Sequence, residues 1–189
     1  MVTGEETAKA FLGVGRIALF DRAGVAGFGK DLRACARSFW AYAIAAPAML
    51  LLIGLEVSNA QPEAPYLMAT GEVISDIVQA AGFPLLLLPV LRRLKRVERW
   101  AWFVTGYNWF QAAQTIAFVT LLGVLWDLPS TGIHGLILRG AQVYFLVLEA
   151  FLADAILEIG AWRAAGIVLL DIALGLAASG LVDWAAGLG

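Results

Sequence analysis

The stretch "YFLVLEAFLADAILEIG", which runs from Tyr144 to Gly160, decides the fold class of this chain. It is almost entirely apolar, yet Glu149 and Asp154 lie within it. A run of about 20 predominantly apolar residues is what a helix needs to cross a lipid bilayer. The stretch therefore predicts a membrane-spanning helix, and its two carboxylates require an explanation.

Composition extends this prediction to the whole chain. Of its 189 residues 61% are hydrophobic and only 15% are charged, with a mean hydropathy of +0.80. Soluble domains carry about 45–50% apolar and about 25% charged residues. Long unbroken apolar runs favour helices over the alternating pattern of a membrane β-barrel. We therefore expect an all-α fold, a five-helix transmembrane bundle with an amphipathic interfacial helix at its N-terminus.

Five segments are apolar enough to cross the membrane, and residues 58–69 form the one long loop between them. The predicted spans are about 39–57, 70–91, 101–126, 132–160 and 164–186. They divide the chain into an N-terminal cytoplasmic or interfacial segment, residues 1–38, and a bundle, residues 39–189.

The basic residues predict the orientation. Six precede the first span, five lie between the second and third, one lies between the fourth and fifth, and only Arg139 falls elsewhere. Loops rich in Lys and Arg stay in the cytoplasm. The N-terminus is therefore predicted inside and the C-terminus outside.

The segment before the first span has two faces at helical spacing. Its apolar positions are Phe28, Leu32, Cys35 and Phe39, and its basic positions are Lys30, Arg33 and Arg37. Such a helix suits the inner headgroup layer, where the basic stripe meets anionic lipid. It either senses lipid or generates membrane curvature, or it simply anchors the first span. A helix is also expected over residues 5–20, weakened by Gly13 and Gly15.

Polar side chains on three spans fall at similar depth, about 9–16 Å from the cytoplasmic end at 1.5 Å per residue. They are Asn108, Gln111, Glu149, Asp154 and Asp171. A charged group facing lipid costs at least about 2.5–3.5 kcal/mol, so these groups are expected to face inward. Glu149 is expected to be neutral and to bond Asn108 or Gln111. The layer serves as an ion, proton or solute path, or it joins the helices by hydrogen bonds, or one of its acids meets an arginine of a partner subunit.

Two further residues are predicted to pair. Asp76 and Arg139 both fall about 9 Å below the outer surface, on the second and fourth spans. Opposite charges at one depth predict an ion pair between these helices.

Several functional classes find no support in the sequence. One cysteine, Cys35, and one histidine, His134, are too few for a metal or haem site within one chain. No nucleotide-binding or nucleophile motif is present, so no enzyme activity and no cofactor are predicted. A net charge of −2 predicts no nucleic-acid partner.

Three stretches together carry a resemblance: "GKDLRACARSFWAYAIAAPAMLLL", "FVTGYNWFQAAQ" and "AAGIVLLDIALGL". They resemble a family of small bacterial inner-membrane proteins of unknown function, with an Arg-Ser-Phe-Trp start to the first helix, a central Tyr-Asn-Trp and a late Leu-Asp helix. The resemblance implies a bacterial cytoplasmic membrane and brings no substrate, cofactor or catalytic residue.

Two functions are compatible with these features. The first is a non-enzymatic accessory or assembly subunit of a membrane complex, since little of the chain lies outside the bilayer. The alternative is a small homo-oligomeric transporter or channel that uses the carboxylate and amide layer. Expected partners are the lipid bilayer, anionic lipid headgroups, and other membrane subunits or further copies of the chain.

Overall fold

The computed structural model describes residues 2–126 and 132–186 of the chain. In this part of the chain all regular structure is helical. The seven α-helices are α1 Gly4–Ala18, α2 Leu32–Ser38, α3 Trp40–Ala60, α4 Pro65–Arg93, α5 Trp100–Trp126, α6 Gly132–Leu157 and α7 Ala161–Ala186. Helices α3 to α7 are long and apolar enough to cross a membrane, which confirms the five predicted helical segments.

The helix ends differ from the prediction for local chemical reasons. Helix α4 begins at Pro65, five residues before the predicted start at residue 70. Proline is well tolerated there because the N–H of the first helical residue has no hydrogen-bond partner within the helix, so its absence costs nothing. Helix α6 ends at Leu157 rather than Gly160. Glu158 and Gly160 adopt positive φ values of 53° and 85°, which stop the helix and turn the chain into α7.

The core of the bundle lies where α4, α5, α6 and α7 meet. The rings of Phe83 and Tyr107 are 4.6 Å apart between centroids, and Phe103 and Leu152 are fully buried beside them. Helix α4 packs mainly against α7, and α3 packs mainly against α5. The apolar side chains on the outer faces of α3, α4, α6 and α7 remain exposed, as a lipid-facing surface requires.

Helix α1 belongs to this packing. It contacts α5 and α6 and folds back on a 3-10 turn at Arg22–Gly27. The contact with the turn is made by backbone: a Cβ added at Gly13 would lie 2.7 Å from the Gly24 carbonyl oxygen. Gly13 therefore allows a close helix contact, although the low helix propensity of glycine predicts that it weakens α1. Gly15 faces open space.

The predicted interfacial helix is shorter than expected. Helix α2 begins at Leu32 because the Asp31 carboxylate caps it, accepting a 2.7 Å hydrogen bond from the Ala34 amide. Phe28 therefore lies outside the helix, where it is buried, while Leu32 is 70% exposed. The four apolar positions do not form one face, and a location of α2 in the headgroup layer stays a prediction.

Two of the three basic residues predicted to contact lipid headgroups have partners within the protein. The Lys30 ammonium lies 4.2 Å from the centroid of the Trp102 ring, and Arg37 donates to the Glu6 carboxylate at 2.9 Å. Arg33 is exposed. Lipid contact by this group stays a prediction, with Arg33 as its most accessible member.

The two glycines of α1 give opposite expectations on substitution by alanine. Gly13→Ala should destabilise the protein by about 1–3 kcal/mol, because the methyl group forces α1 away from the turn. Gly15→Ala should stabilise α1 by up to about 1 kcal/mol, because alanine has the higher helix propensity. Thermal unfolding in detergent, followed by circular dichroism, measures both. Equal melting temperatures for the two variants would contradict the backbone contact.

Candidate functional site

A cavity of about 390 Å³ lies within the bundle, with walls from each of the helices α3 to α7. Its most prominent chemical feature is negative charge. The described lining residues include no lysine, arginine or histidine. Five of them are carboxylic acids: Glu56, Glu72, Asp76, Glu149 and Asp171.

The carboxylic acids line a path from an open end to a closed one. Glu56 and Asp76 are exposed and lie toward the α3–α4 connection. Glu149 and Asp171 are only 3% and 4% exposed. The cavity therefore opens toward the end of the bundle opposite the arginine-rich α4–α5 connection and closes on two buried acids.

Asp171 is the better satisfied of the two buried acids. Its carboxylate accepts hydrogen bonds from the Tyr107 hydroxyl at 2.8 Å, from Gln79 Nε2 at 3.0 Å and from Gln111 Nε2 at 3.4 Å. These donors lie on α4 and α5. They fix the carboxylate of α7 at the junction of three helices.

Glu149 is incompletely satisfied. Its carboxyl group lies within hydrogen-bonding reach of Asp171, and its Oε1 atom is buried with no hydrogen-bond partner in the described part of the chain. A hydrogen bond between two carboxyl groups requires a proton on one of them. The predicted bond from Glu149 to Asn108 or Gln111 is wrong, because Asn108 and Gln111 bond to other groups.

Asn108 has a structural environment instead. It is fully buried, its Oδ1 accepts from the Tyr42 hydroxyl at 3.2 Å, and its Nδ2 donates to Ser38 Oγ at 2.9 Å. Both ends of the amide are therefore occupied. Asn108 joins α2, α3 and α5 behind the cavity wall. This agrees with one of the predicted roles of the polar residues, which is to hold helices together by hydrogen bonds.

Asp154 does not join the buried acids. It pairs with Arg22 of the 3-10 turn, and its Oδ1 accepts a 2.7 Å hydrogen bond from the Gly160 amide. Five residues after Glu149, it points about 140° away around the helix, which its depth alone does not reveal. The same chain turn is held by Arg99, which donates to Glu158 at 2.8 Å and keeps the pKa of that carboxyl below its usual value.

The predicted ion pair between Asp76 and Arg139 is absent from the described residues. Asp76 lines the cavity, whereas Arg139 is exposed on α6. Helix α4 packs against α3, α5 and α7, while α6 packs against α5 and α7. Equal depth placed the two charges at one level, but it does not determine which helices are neighbours.

Close packing of α4 on α7 positions the donors to Asp171. Gly175 leaves room for Gln79, whose Oε1 would lie 3.1 Å from a Cβ at that position. One turn further along α7, the hydroxyls of Ser75 and Ser179 lie 3.1 Å apart and join the helices again. The small residues of α7 thus let a long amide of α4 reach the carboxylate.

Six polar cavity residues with a carboxyl, amide or phenol group were not predicted from the sequence. They are Tyr42, Glu56, Glu72, Gln79, Tyr107 and Gln114. Three of them had a usable signal: Gln79 and Gln114 each lie three residues after a predicted polar residue, on the same face of the helix, and Tyr107 adjoins Asn108. The others lie near helix ends, where polar residues carry no cost that would mark them.

Removal of the Asn108 amide should destabilise the bundle. Asn108→Ala removes the donor to the buried Ser38 hydroxyl, which keeps only its bond to the Cys35 carbonyl, and the acceptor of the half-buried Tyr42 hydroxyl, at a cost of about 1–3 kcal/mol. Thr120→Ala on the same helix is the control, because the exposed Thr120 hydroxyl bonds only to the Ile116 carbonyl of its own helix. Thermal unfolding in detergent should rank Asn108→Ala well below Thr120→Ala, and equal stability would contradict the structural role.

The chain matches no protein-family model, no curated protein and no solved structure. The resemblance seen in its sequence therefore stays a prediction, and no family membership is assigned. Its function must be argued from the geometry of the cavity.

Proposed function

We propose that this protein is a small membrane transporter for positively charged organic solutes, which exchange with protons at the Glu149–Asp171 carboxyl pair. One observation carries the proposal. The lining of the cavity includes a buried pair of carboxyl groups, and one Glu149 oxygen there has no partner among the described residues.

The energetic cost of the pair favours a function over a purely structural role. Each charged group within a bilayer costs at least about 2.5–3.5 kcal/mol unless it is paired. Neither Glu149 nor Asp171 forms an ion pair with a described lysine or arginine. A positively charged solute or a proton would supply the missing positive charge.

The walls of the cavity suit an organic cation. A volume of about 390 Å³ falls in the range of about 300–1,000 Å³ that small-molecule sites occupy. Tyr42 and Tyr107 both line the space, and the faces of aromatic rings attract cations. The acids are distributed over α3, α4, α6 and α7, so negative potential extends along the path.

Exchange follows from competition for one pair of groups. In the solute-free state a proton shared by Glu149 and Asp171 lowers the charge of the pair from −2 to −1. A bound cation stabilises both carboxylates in their charged form, so the proton leaves. The donors Tyr107, Gln79 and Gln111 hold the Asp171 carboxylate in place while this occurs.

The location of the protein completes the proposal. Five apolar helices support a multi-pass membrane protein. The distribution of basic residues and the sequence resemblance support a bacterial inner membrane with the N-terminus in the cytoplasm. In that orientation the cavity opens to the outside, the side from which protons would enter as the solute leaves.

Uptake into liposomes tests the proposal. Vesicles that contain the protein and are acidic inside should accumulate radiolabelled tetramethylammonium, because protons leave as the cation enters. Glu149→Gln and Asp171→Asn should each lower uptake by about 10-fold to 100-fold, since a charge-assisted contact contributes about 1.5–3 kcal/mol.

Asp154→Asn is the matched control for these variants. It removes a carboxylate from the same helix as Glu149 but outside the cavity, and the amide oxygen of asparagine can still accept from Gly160. The contact that it loses is with Arg22, whose side chain is half exposed. It should transport as the wild-type protein does. Absence of uptake by the wild type, together with purification alongside a fixed set of unlike chains, would instead favour the accessory-subunit role expected from the sequence.

A further inference from the structure

A second cavity of about 250 Å³ lies beside the first, between α3 and α4. Tyr42, Met49, Asp76 and Ala80 line both spaces, so the two are direct neighbours. The remaining walls of the second cavity are apolar: Phe39, Ile77 and Ala81. An acidic space inside the bundle therefore adjoins an apolar space at its side, with Asp76 in the wall of both.

The apolar part faces the lipid. Helix α3 packs mainly against α5 and α4 mainly against α7, so the seam between α3 and α4 is the loosely packed side of the cavity. Phe39 is 40% exposed and Ile77 is 61% exposed at this seam. A molecule dissolved in the bilayer can reach Asp76 through the seam without passing through water.

We infer that the transported solute is an amphiphilic cation, an alkyl chain bearing a quaternary or protonated amine, which enters from the bilayer between α3 and α4. The inference rests on the proposed function and names its substrate class. The alkyl chain lies between Phe39 and Ala81, and the amine reaches Asp76 and then Glu149.

Charge complementarity selects this occupant over others. Asp76 lies where the apolar and acidic parts meet, so a plain hydrocarbon chain in the seam would leave a carboxylate beside it without a counter-charge. At the inner end Glu149 is 3% exposed, lines the cavity and keeps its Oε1 without a partner in the described residues. A molecule that carries a positive charge would satisfy both groups.

A series of alkyltrimethylammonium ions with methyl, butyl and octyl chains tests the inference. Each ion competes with radiolabelled tetramethylammonium for the protein in lipid nanodiscs. In the wild type the octyl ion should compete at least about 10-fold better than the methyl ion, because each buried methylene adds to binding. Ala81→Phe fills the seam and should abolish this dependence on chain length while the methyl ion binds unchanged.

Leu85→Phe is the control. It adds an aromatic ring to an exposed position one turn further along α4, outside both cavities. It should keep the chain-length dependence of the wild type. Should Ala81→Phe not fold, Ile77→Ala replaces it, because loss of this wall should weaken the octyl ion more than the methyl ion.

The outcomes separate the two proposals. If the chain-length dependence is the same in wild type and Ala81→Phe, partition into lipid explains it, and entry through the seam is overturned while cation binding stands. If Ala81→Phe changes the oligomeric size, the seam is an interface between copies and the inference is likewise overturned. If tetramethylammonium does not bind to the wild type, the proposed function itself fails, and the inference fails with it.

Discussion

Two carboxyl groups meet inside an apolar bundle, and the arrangement around the cavity follows from the need to keep them away from lipid. Three donors from α4 and α5 converge on Asp171, and they can do so only because small residues let α4 approach α7. Glu149 is brought to the same point from α6. Glu149 Oε1 and Gln114 Oε1, both on residues that line the cavity, are the buried side-chain oxygens that lack a partner in the described part of the chain.

The polar residues of the bundle divide into two groups by how completely they are bonded. Asn108 uses both ends of its amide within the protein, so a ligand has nothing to displace there. Glu149 has capacity left over and faces a space large enough for a small molecule. The degree to which a polar side chain is hydrogen-bonded within the protein, rather than its polarity or its depth, therefore distinguishes residues that hold helices together from residues that are available for binding.

The sequence predicted the five long helices because a bilayer leaves few alternatives for such apolar segments. It also selected Glu149, Asp171 and Gln111, since buried polar groups in such helices are rare. It failed where the direction of a side chain or the choice of neighbour mattered. Depth placed Asp154 with Glu149 although the two point different ways around α6, and it paired Asp76 with Arg139 across helices that do not pack closely. Gly13 was misjudged because propensity describes an isolated helix.

The pair between Arg22 and Asp154 joins positions 132 residues apart in the chain. A ribosome therefore completes four of the five long helices, or nearly so, before the partner of Arg22 exists. Until then α1 and its turn lack the contacts that α6 provides, although α1 already has α5 to pack against. The amino-terminal segment therefore reaches its full set of contacts only after most of the bundle has been synthesised.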